Sequence, residues 1–263
     1  MTFQVNHNNQ MNDKKSPFSI KTELYNRVYI PLISHIYLCI LLLGAILKRF
    51  GHYIKTKFSH LNNSETIYFD FETTGLNPFH AKVIDYAFIQ ESTSKFVESL
   101  VNPNTKFEKI ITDITGIHPD ELEDKQTMEA HSSVIEQFLK DIHKNVPFTQ
   151  LFLVAHNSDG FDKFFLERIF KLNNQVSHKL TNYNYIDSLL LAKKLFPIFI
   201  GGYSLGNIAK KFGVKEGTHR ALSDTKCLQQ VYHALLEELA SQTKLTKDYY
   251  LENPEQVYNY IYQ

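Results

Sequence analysis

Asp70 and Glu72 stand two residues apart at the end of an apolar run, Thr66-Ile67-Tyr68-Phe69-Asp70-Phe71, which Gly75 and Pro78 stop. A run so rich in β-branched and aromatic residues reads as a buried strand. Side chains alternate along a strand, so both acids fall on one face. Two carboxylates sharing a buried face repel each other and are costly to desolvate, so a neutralising partner is required. Oxygen-only ligands favour a hard divalent cation such as Mg2+ or Mn2+. An edge strand whose acids face water is the alternative reading of these residues taken alone.

Further along lies His156-Asn157-Ser158-Asp159-Gly160-Phe161-Asp162, where an apolar strand gives way to a helical pattern. Polar groups at the C-terminal end of a strand in an open α/β sheet face the crevice where ligands bind. Asp162 belongs to the first turn of the following helix, where an acid serves equally as a cation ligand or as a partner of the helix dipole. A last group is Thr218-His219-Arg220-Ala221-Leu222-Ser223-Asp224. Asp224 lies inside a long helical pattern, and an acid buried on an amphipathic helix needs a cation partner. His219, on the segment just before it, can reach the same place.

The elements that must position these groups are legible in outline. Residues 82–89 and 95–101 read as two more strands joined by a short polar turn, an antiparallel meander with the first. Residues 110–117 form a short helical or looped segment, and residues 128–144 carry apolar positions at helical spacing. Leu151-Phe152-Leu153-Val154-Ala155 is short enough for a central strand, followed by a helix over 161–172 and a strand over 183–186. Helices follow over 188–196, 204–212 and 220–239. Three antiparallel strands followed by alternating helices and strands specify an α/β fold on a mixed sheet.

Composition sets the outer limits. The chain has 263 residues, 43% of them hydrophobic, with 28 basic against 28 acidic side chains, so there is no global pull toward a polyanion or a membrane surface. Polyanion binding must come from local patches, for which Lys210, Lys211, Lys215 and Arg220 are candidates, a solvated helix face being the alternative. Two cysteines, Cys39 and Cys227, are too few for a disulfide framework and fit a reducing compartment. Residues 1–27 are polar and Asn-rich, and disorder or a weak helix is expected there. Residues 28–47 carry no Asp, Glu, Lys or Arg and end in Ile40-Leu41-Leu42-Leu43-Gly44-Ala45-Ile46-Leu47. That stretch predicts an N-terminal hydrophobic helix and a candidate transmembrane anchor, with a helix packed on the downstream domain as the alternative. Residues 48–65 read as a basic linker, 66–240 as the catalytic domain and 241–263 as a C-terminal tail of unreadable role. This organisation predicts a membrane-associated protein with its catalytic domain in the cytosol, or otherwise a cytoplasmic one.

Taken together, the motifs resemble the DEDDh group of 3′-to-5′ exonucleases, which have a ribonuclease H-like fold. The match runs through Asp70-Phe-Glu72-Thr-Thr-Gly75, Ala155-His156-Asn157 with Phe161-Asp162, and His219 followed at the family's spacing by Asp224. Lesser signatures are Asn102-Pro103, Ile114-Thr115-Gly116-Ile117, Asp187-Ser188-Leu189 and Tyr203-Ser204-Leu205. Three ordered motifs in one frame are a far stronger signal than any alone. The sister group places a Tyr four residues before the last Asp, where this chain has Arg220. Three residues, Ser158, Asp159 and Gly160, separate His-Asn from Phe-Asp, one more than is commonest, and this longer form resembles the three-prime repair exonuclease branch. Asp159 and Asp162 both lie within reach of the ligand role. Asp162 is taken as the ligand because Phe161 would then pack beside the site while Asp159-Gly160 supplies the turn and helix cap.

The resemblance implies hydrolysis of terminal phosphodiester bonds of nucleic acid, with DNA favoured and RNA possible, releasing nucleoside 5′-monophosphates. Two ions, Mg2+ or Mn2+, would be held by Asp70, Glu72, Asp162 and Asp224, with His219 taking the proton from the attacking water. Thr74, Leu76, Ile114, His156, Asn157 and Phe161 would contact the terminal nucleotide, Leu76 as an apolar wedge against the base. The implied partners are 3′ ends, single-stranded ones above all, and a membrane through residues 28–47. The rival functions are a catalytically silent binding module on the same frame and a proofreading subunit serving a separate polymerase.

Overall fold

The computed structural model of the chain describes residues 64–147, 150–172 and 183–263. The hydrophobic helix expected over 28–47 lies outside the described residues. Among the described residues no helix is long and apolar enough to cross a membrane.

Strands β1 (Glu65–Thr73), β2 (Val83–Gln90) and β3 (Phe96–Leu100) form the antiparallel meander, and β4 (Leu151–Ala155) and β5 (Asn184–Asp187) complete a five-stranded sheet in the order β3-β2-β1-β4-β5. β1 is central, antiparallel to β2 and parallel to β4, and β5 runs parallel to β4. The mixed α/β sheet read from the sequence is therefore present, with boundaries within a few residues of those expected. The helices are α1 (Lys109–Thr115), α2 (Met128–His143), α3 (Asp162–Leu172), α4 (Ser188–Leu195), α5 (Leu205–Phe212), α6 (Ala221–Thr243), α7 (Lys247–Glu252) and α8 (Pro254–Tyr262).

The period of two along β1 divides the core. Ile67, Phe69 and Phe71 face a cluster built with Phe88 of β2, Ile135 and Leu139 of α2, and Phe165 and Ile169 of α3. Phe69 stacks on Phe88 with ring centroids 5.5 Å apart. Tyr68 points the other way, into a cluster with Val154, Ile186 and the α6 residues Leu228, Val231, Tyr232 and Leu235. Each wholly buried side chain of this size contributes about 1.5–3 kcal/mol relative to exposure. Helices thus cover both faces, which is why even the antiparallel strand β2 is buried at every position.

Asp70 and Glu72 continue the Tyr68 face, toward α6, and two irregularities open the sheet around them. The pairing of β1 with β4 ends at Tyr68–Val154, so the two strands part before Asp70. The pairing of β1 with β2 slips between Glu72 and Thr73. Such bulges re-aim side chains at the rim of a sheet.

The segment after Lys244, unreadable from sequence, folds as two helices on the same core. Thr246 caps α7 through the backbone N–H of Tyr249 at 3.1 Å, and Pro254 starts α8. Tyr250 and Val257 are buried in the α6 cluster. Tyr262 closes the arrangement by donating its hydroxyl to Asp159 at 3.0 Å. Val257→Asp would place an unpaired charge in that cluster. It is expected to lower the urea midpoint by several kcal/mol in equivalent stability, against about 0.5 kcal/mol or less for a charge added on the surface. An unchanged midpoint would mean that α8 is not part of the core.

Candidate active site

The four acids are delivered by three different elements. β1 carries Asp70 and Glu72 into the gap left where β4 ends. Asp162 opens α3 directly beyond the turn that follows β4, and its carboxylate accepts a hydrogen bond from the backbone N–H of Phe71. That N–H is free to donate because β4 no longer pairs with β1 at this height. Asp224 sits in the first turn of α6, on the side that meets the Glu72 face. Ligand atoms of Glu72, His219 and Asp224 lie within 4.8 Å of one another.

Asp70 and Asp162 fall outside that group of ligand atoms, but the charges of Asp162, Glu72 and Asp224 reach Asp70. Asp70 is pushed well above the usual carboxylate range, first by burial and then by the charges of Asp162, Glu72 and Asp224. Glu72 is raised to about 8 by burial and by Asp224 and Asp85, with Arg220 opposing. Asp162 is also raised to about 8, chiefly by burial, although backbone N–H groups including that of Phe71 pull the other way. Burial raises Asp224 too, offset by His219 and by backbone donors around it. Asp70 Oδ2 and Asp162 Oδ1 are buried with no hydrogen-bond partner in the protein. Buried carboxylate oxygens of this kind are costly unless something cationic meets them. An oxygen-only set of four acids, two of them with partnerless buried oxygens, fits hard divalent cations.

Tight local geometry holds Asp224 and His219. The backbone N–H of His219 donates to Asp224 Oδ1 at 3.1 Å, and its ring Nδ1 lies 3.9 Å from Asp224 Oδ2. His219 adopts a left-handed backbone, φ 54°, and its side chain is 64% exposed, so the imidazole faces solvent beside an acid whose own side chain is 15% exposed. Strained non-glycine backbone of this type is common at functional positions. Gly217 is required by the approach: a Cβ there would lie 1.9 Å from Asp224 Oδ1.

The turn before Asp162 is braced from β5. Asp187, 1% exposed, accepts from the backbone N–H groups of Asn157 at 3.0 Å, Asp159 at 3.2 Å and Leu189 at 2.9 Å. His156 is locked beneath it, with Nε2 donating to the Tyr203 carbonyl at 2.8 Å and Nδ1 2.9 Å from Ser188 Oγ. Both ring nitrogens are therefore engaged inside the protein, and burial lowers its pKa. Asn157 is exposed in a left-handed conformation, φ 67°.

Among the remaining residues singled out from sequence, Thr74 is tied to Lys82, accepting at Oγ1 from its backbone N–H at 2.9 Å. Leu76 is 86% exposed on the loop beyond β1, and Ile114 is 48% exposed on α1. Phe161 is half-buried against Phe165. Asp159, the other acid near the site, is exposed and paired with Tyr262, whereas Asp162 is 3% exposed and meets Asp70. Two contributors escaped the sequence reading. One is Gly217; the other is Asp85, the single charge in an otherwise apolar strand, which is the signal that singles it out.

Comparison with known proteins shows the family and the fold. The exonuclease family RNase_T matches residues 67–232, and the chain belongs to that family: it carries an exonuclease domain. The chain is 30% identical over 206 residues to the PolC-type DNA polymerase III of Thermotoga petrophila, a match covering 77% of this chain and 14% of that protein. The PolC-type DNA polymerase III of Bacillus subtilis is 31% identical over 187 residues, covering 69% and 12%. The chain thus spans a small fraction of the length of these relatives. The fold is also that of Escherichia coli exonuclease I, in its zinc-bound complex with single-stranded DNA (TM-score 0.54, 19% identity, covering 71% of this chain and 42% of that one). Without ligand the same enzyme superposes with a TM-score of 0.55 at 17% identity, covering 75% and 44%.

Glu72 and Asp162 each hold a proton better in the folded chain than in the unfolded one. Their contribution to stability is present at low pH and is lost as pH rises from ordinary carboxylate values through about 8. In EDTA, thermal unfolding is expected at lower temperature at about pH 9 than at about pH 5, and added Mg2+ should restore most of the difference. Glu72→Gln should flatten both responses. Parallel pH profiles with and without Mg2+ would show that the cluster holds no cation.

Proposed function

We propose that the chain is a metal-dependent 3′-to-5′ exonuclease that shortens single-stranded nucleic acid, DNA in the first instance, by one nucleoside 5′-monophosphate at a time. The observation that carries this reading is the convergence of four acids, two of them with buried partnerless oxygens, beside a solvent-facing imidazole. Asp70, Glu72, Asp162 and Asp224 would hold the cations, Mg2+ or Mn2+, and two ions match the number of acids. When bound, such ions supply a water of lowered pKa and positive charge for the phosphate and the departing 3′ oxygen.

The side chains provide the rest. His219 accepts the proton of the attacking water; its exposure lets the imidazole release that proton to solvent before the next turnover. The oxygen of that water joins phosphorus as the bond from phosphorus to the 3′ oxygen breaks, leaving a 5′-monophosphate and a new 3′ hydroxyl. Leu76 and Ile114, exposed apolar groups on two segments, would flank the terminal base, with Phe161 at the base of the pocket. Thr74 and Asn157 would act near the sugar and phosphate. His156, with both nitrogens engaged, serves this reaction by supporting the turn that carries Asp162. The single-strand preference draws support from the exonuclease I structures that hold single-stranded DNA. A second reading, favoured by the similarity to polymerases, is that the same hydrolysis edits the ends made by a separate polymerase.

With 5′-labelled single-stranded DNA and Mg2+ or Mn2+, the full chain should give a ladder of shortened products and stop with EDTA. Asp70→Ala should lose activity by well over about 100-fold, the upper end for loss of a mere supporting partner. Equal inertness of the wild type and Asp70→Ala on DNA and RNA, with either metal, would leave a binding module instead.

His219→Ala should lower kcat by about 100- to 10,000-fold while leaving Mn2+ affinity largely intact, measured by titration without substrate. Unchanged turnover would remove His219 from the proton-transfer role.

A further inference from the structure

Asp85 lies on β2 directly opposite Glu72 of β1. Like charges facing each other across an antiparallel pair are destabilising, and Asp85 is among the charges that raise Glu72. A carboxylate is therefore kept, 4% exposed, where it works against the neighbouring acid. Its hydrogen bonds say why. Asp85 Oδ2 accepts from Arg220 Nε at 3.2 Å and from the backbone N–H of Ala221 at 3.1 Å. Ala221 is the first residue of α6, and the preceding residue, Arg220, makes no capping bond with its own side chain. The N-terminus of α6 is thus capped by an acid from another strand, which also meets the positive end of the helix dipole.

The consequence lies one turn further on. Asp224 is in that first turn, its backbone N–H donating to the Arg220 carbonyl at 2.9 Å, and its side chain in turn accepts from His219. Arg220 also lies close enough to Glu72 to offset part of its charge. We infer that Asp85 is a positioning residue: through Arg220 and Ala221 it fixes the start of α6 against the sheet, so that Asp224 and His219 stand in register with Glu72. This assigns Arg220 to the protein's own framework rather than to a nucleic-acid backbone. The inference rests on the nuclease reading for its effect on turnover, and on geometry alone for its effect on the helix.

The test uses the full chain with Asp85→Ala, Asp85→Asn, Arg220→Ala and the double variant Asp85→Ala/Arg220→Ala. Asp85→Ala is expected to weaken Mn2+ binding, titrated without substrate, by about 10- to 100-fold and to lower kcat over a similar range with KM little changed. Asp85→Asn keeps an acceptor for Ala221 and should recover most of the loss. The double variant should be no worse than Asp85→Ala, since both changes break one linkage. Amide hydrogen exchange should quicken by about 10-fold at Ala221 to Thr225 in Asp85→Ala, with the middle of α6 unaffected. Unchanged Mn2+ affinity and unchanged exchange in Asp85→Ala would overturn the inference, as would strictly multiplicative losses in the double variant. Should Asp85→Ala fail to fold, Arg220→Ala carries the same comparison. If the wild type hydrolyses nothing, the nuclease reading fails, while hydrogen exchange still decides whether Asp85 holds the helix.

Discussion

Four carboxylates brought together at a partly buried site repel one another, and the architecture around them is arranged to tolerate that repulsion. Burial lifts Asp70, Glu72 and Asp162 far above where a carboxylate ordinarily titrates, and neighbouring acids lift Asp70 and Glu72 further. A surface cluster would relax by spreading into solvent, but these acids stand on a central strand, a helix start and a long packed helix, none of which can move independently. The protein therefore holds a standing electrostatic debt that divalent cations are chemically suited to relieve.

The supports form a second layer of acids with a different task. Asp187 and Asp85 are buried like Asp162, yet their oxygens are committed to backbone N–H groups. Asp187 holds the turn from β4 to α3, and Asp85 holds the start of α6. Each anchors the segment that delivers one of the distal acids. The two sets differ in what their oxygens meet: the supporting acids are satisfied within the chain, whereas Asp70 and Asp162 each keep one buried oxygen with no partner. That contrast marks the centre of the site more clearly than charge alone.

The chain belongs to the exonuclease family and shares the fold of exonuclease I. The sheet needs the hydrophobic faces of β1 for stability and its parted upper edge for the site. Ile67, Tyr68, Phe69 and Phe71 serve the first requirement and Asp70 and Glu72 the second, within one strand. The C-terminal helices, which link back to the turn before Asp162 through Tyr262 and Asp159, belong to the same cooperative unit.

What the sequence determined by itself was the set of acids and the order of the elements. Alternation along β1 is local, and the strand, turn and helix signals around Asp162 and Asp224 depend on near neighbours, so they could be read without coordinates. Asp162 could be separated from Asp159 only by a packing argument; in the structure Asp162 is buried and Asp159 is exposed. The tertiary structure decided the rest. His156 looks like a site residue in sequence, but both its nitrogens are taken by Tyr203 and Ser188, partners more than thirty positions away. Asp85 stands out locally only as the one charge in β2 and Gly217 not at all, because the role of each is set by a partner on another segment: the start of α6 for one, the Asp224 carboxylate for the other. The paths of the tail helices were hidden for the same reason. Hydrophobic periodicity records which face of an element is buried, not what buries it, and hydrogen bonds between distant segments leave no period at all.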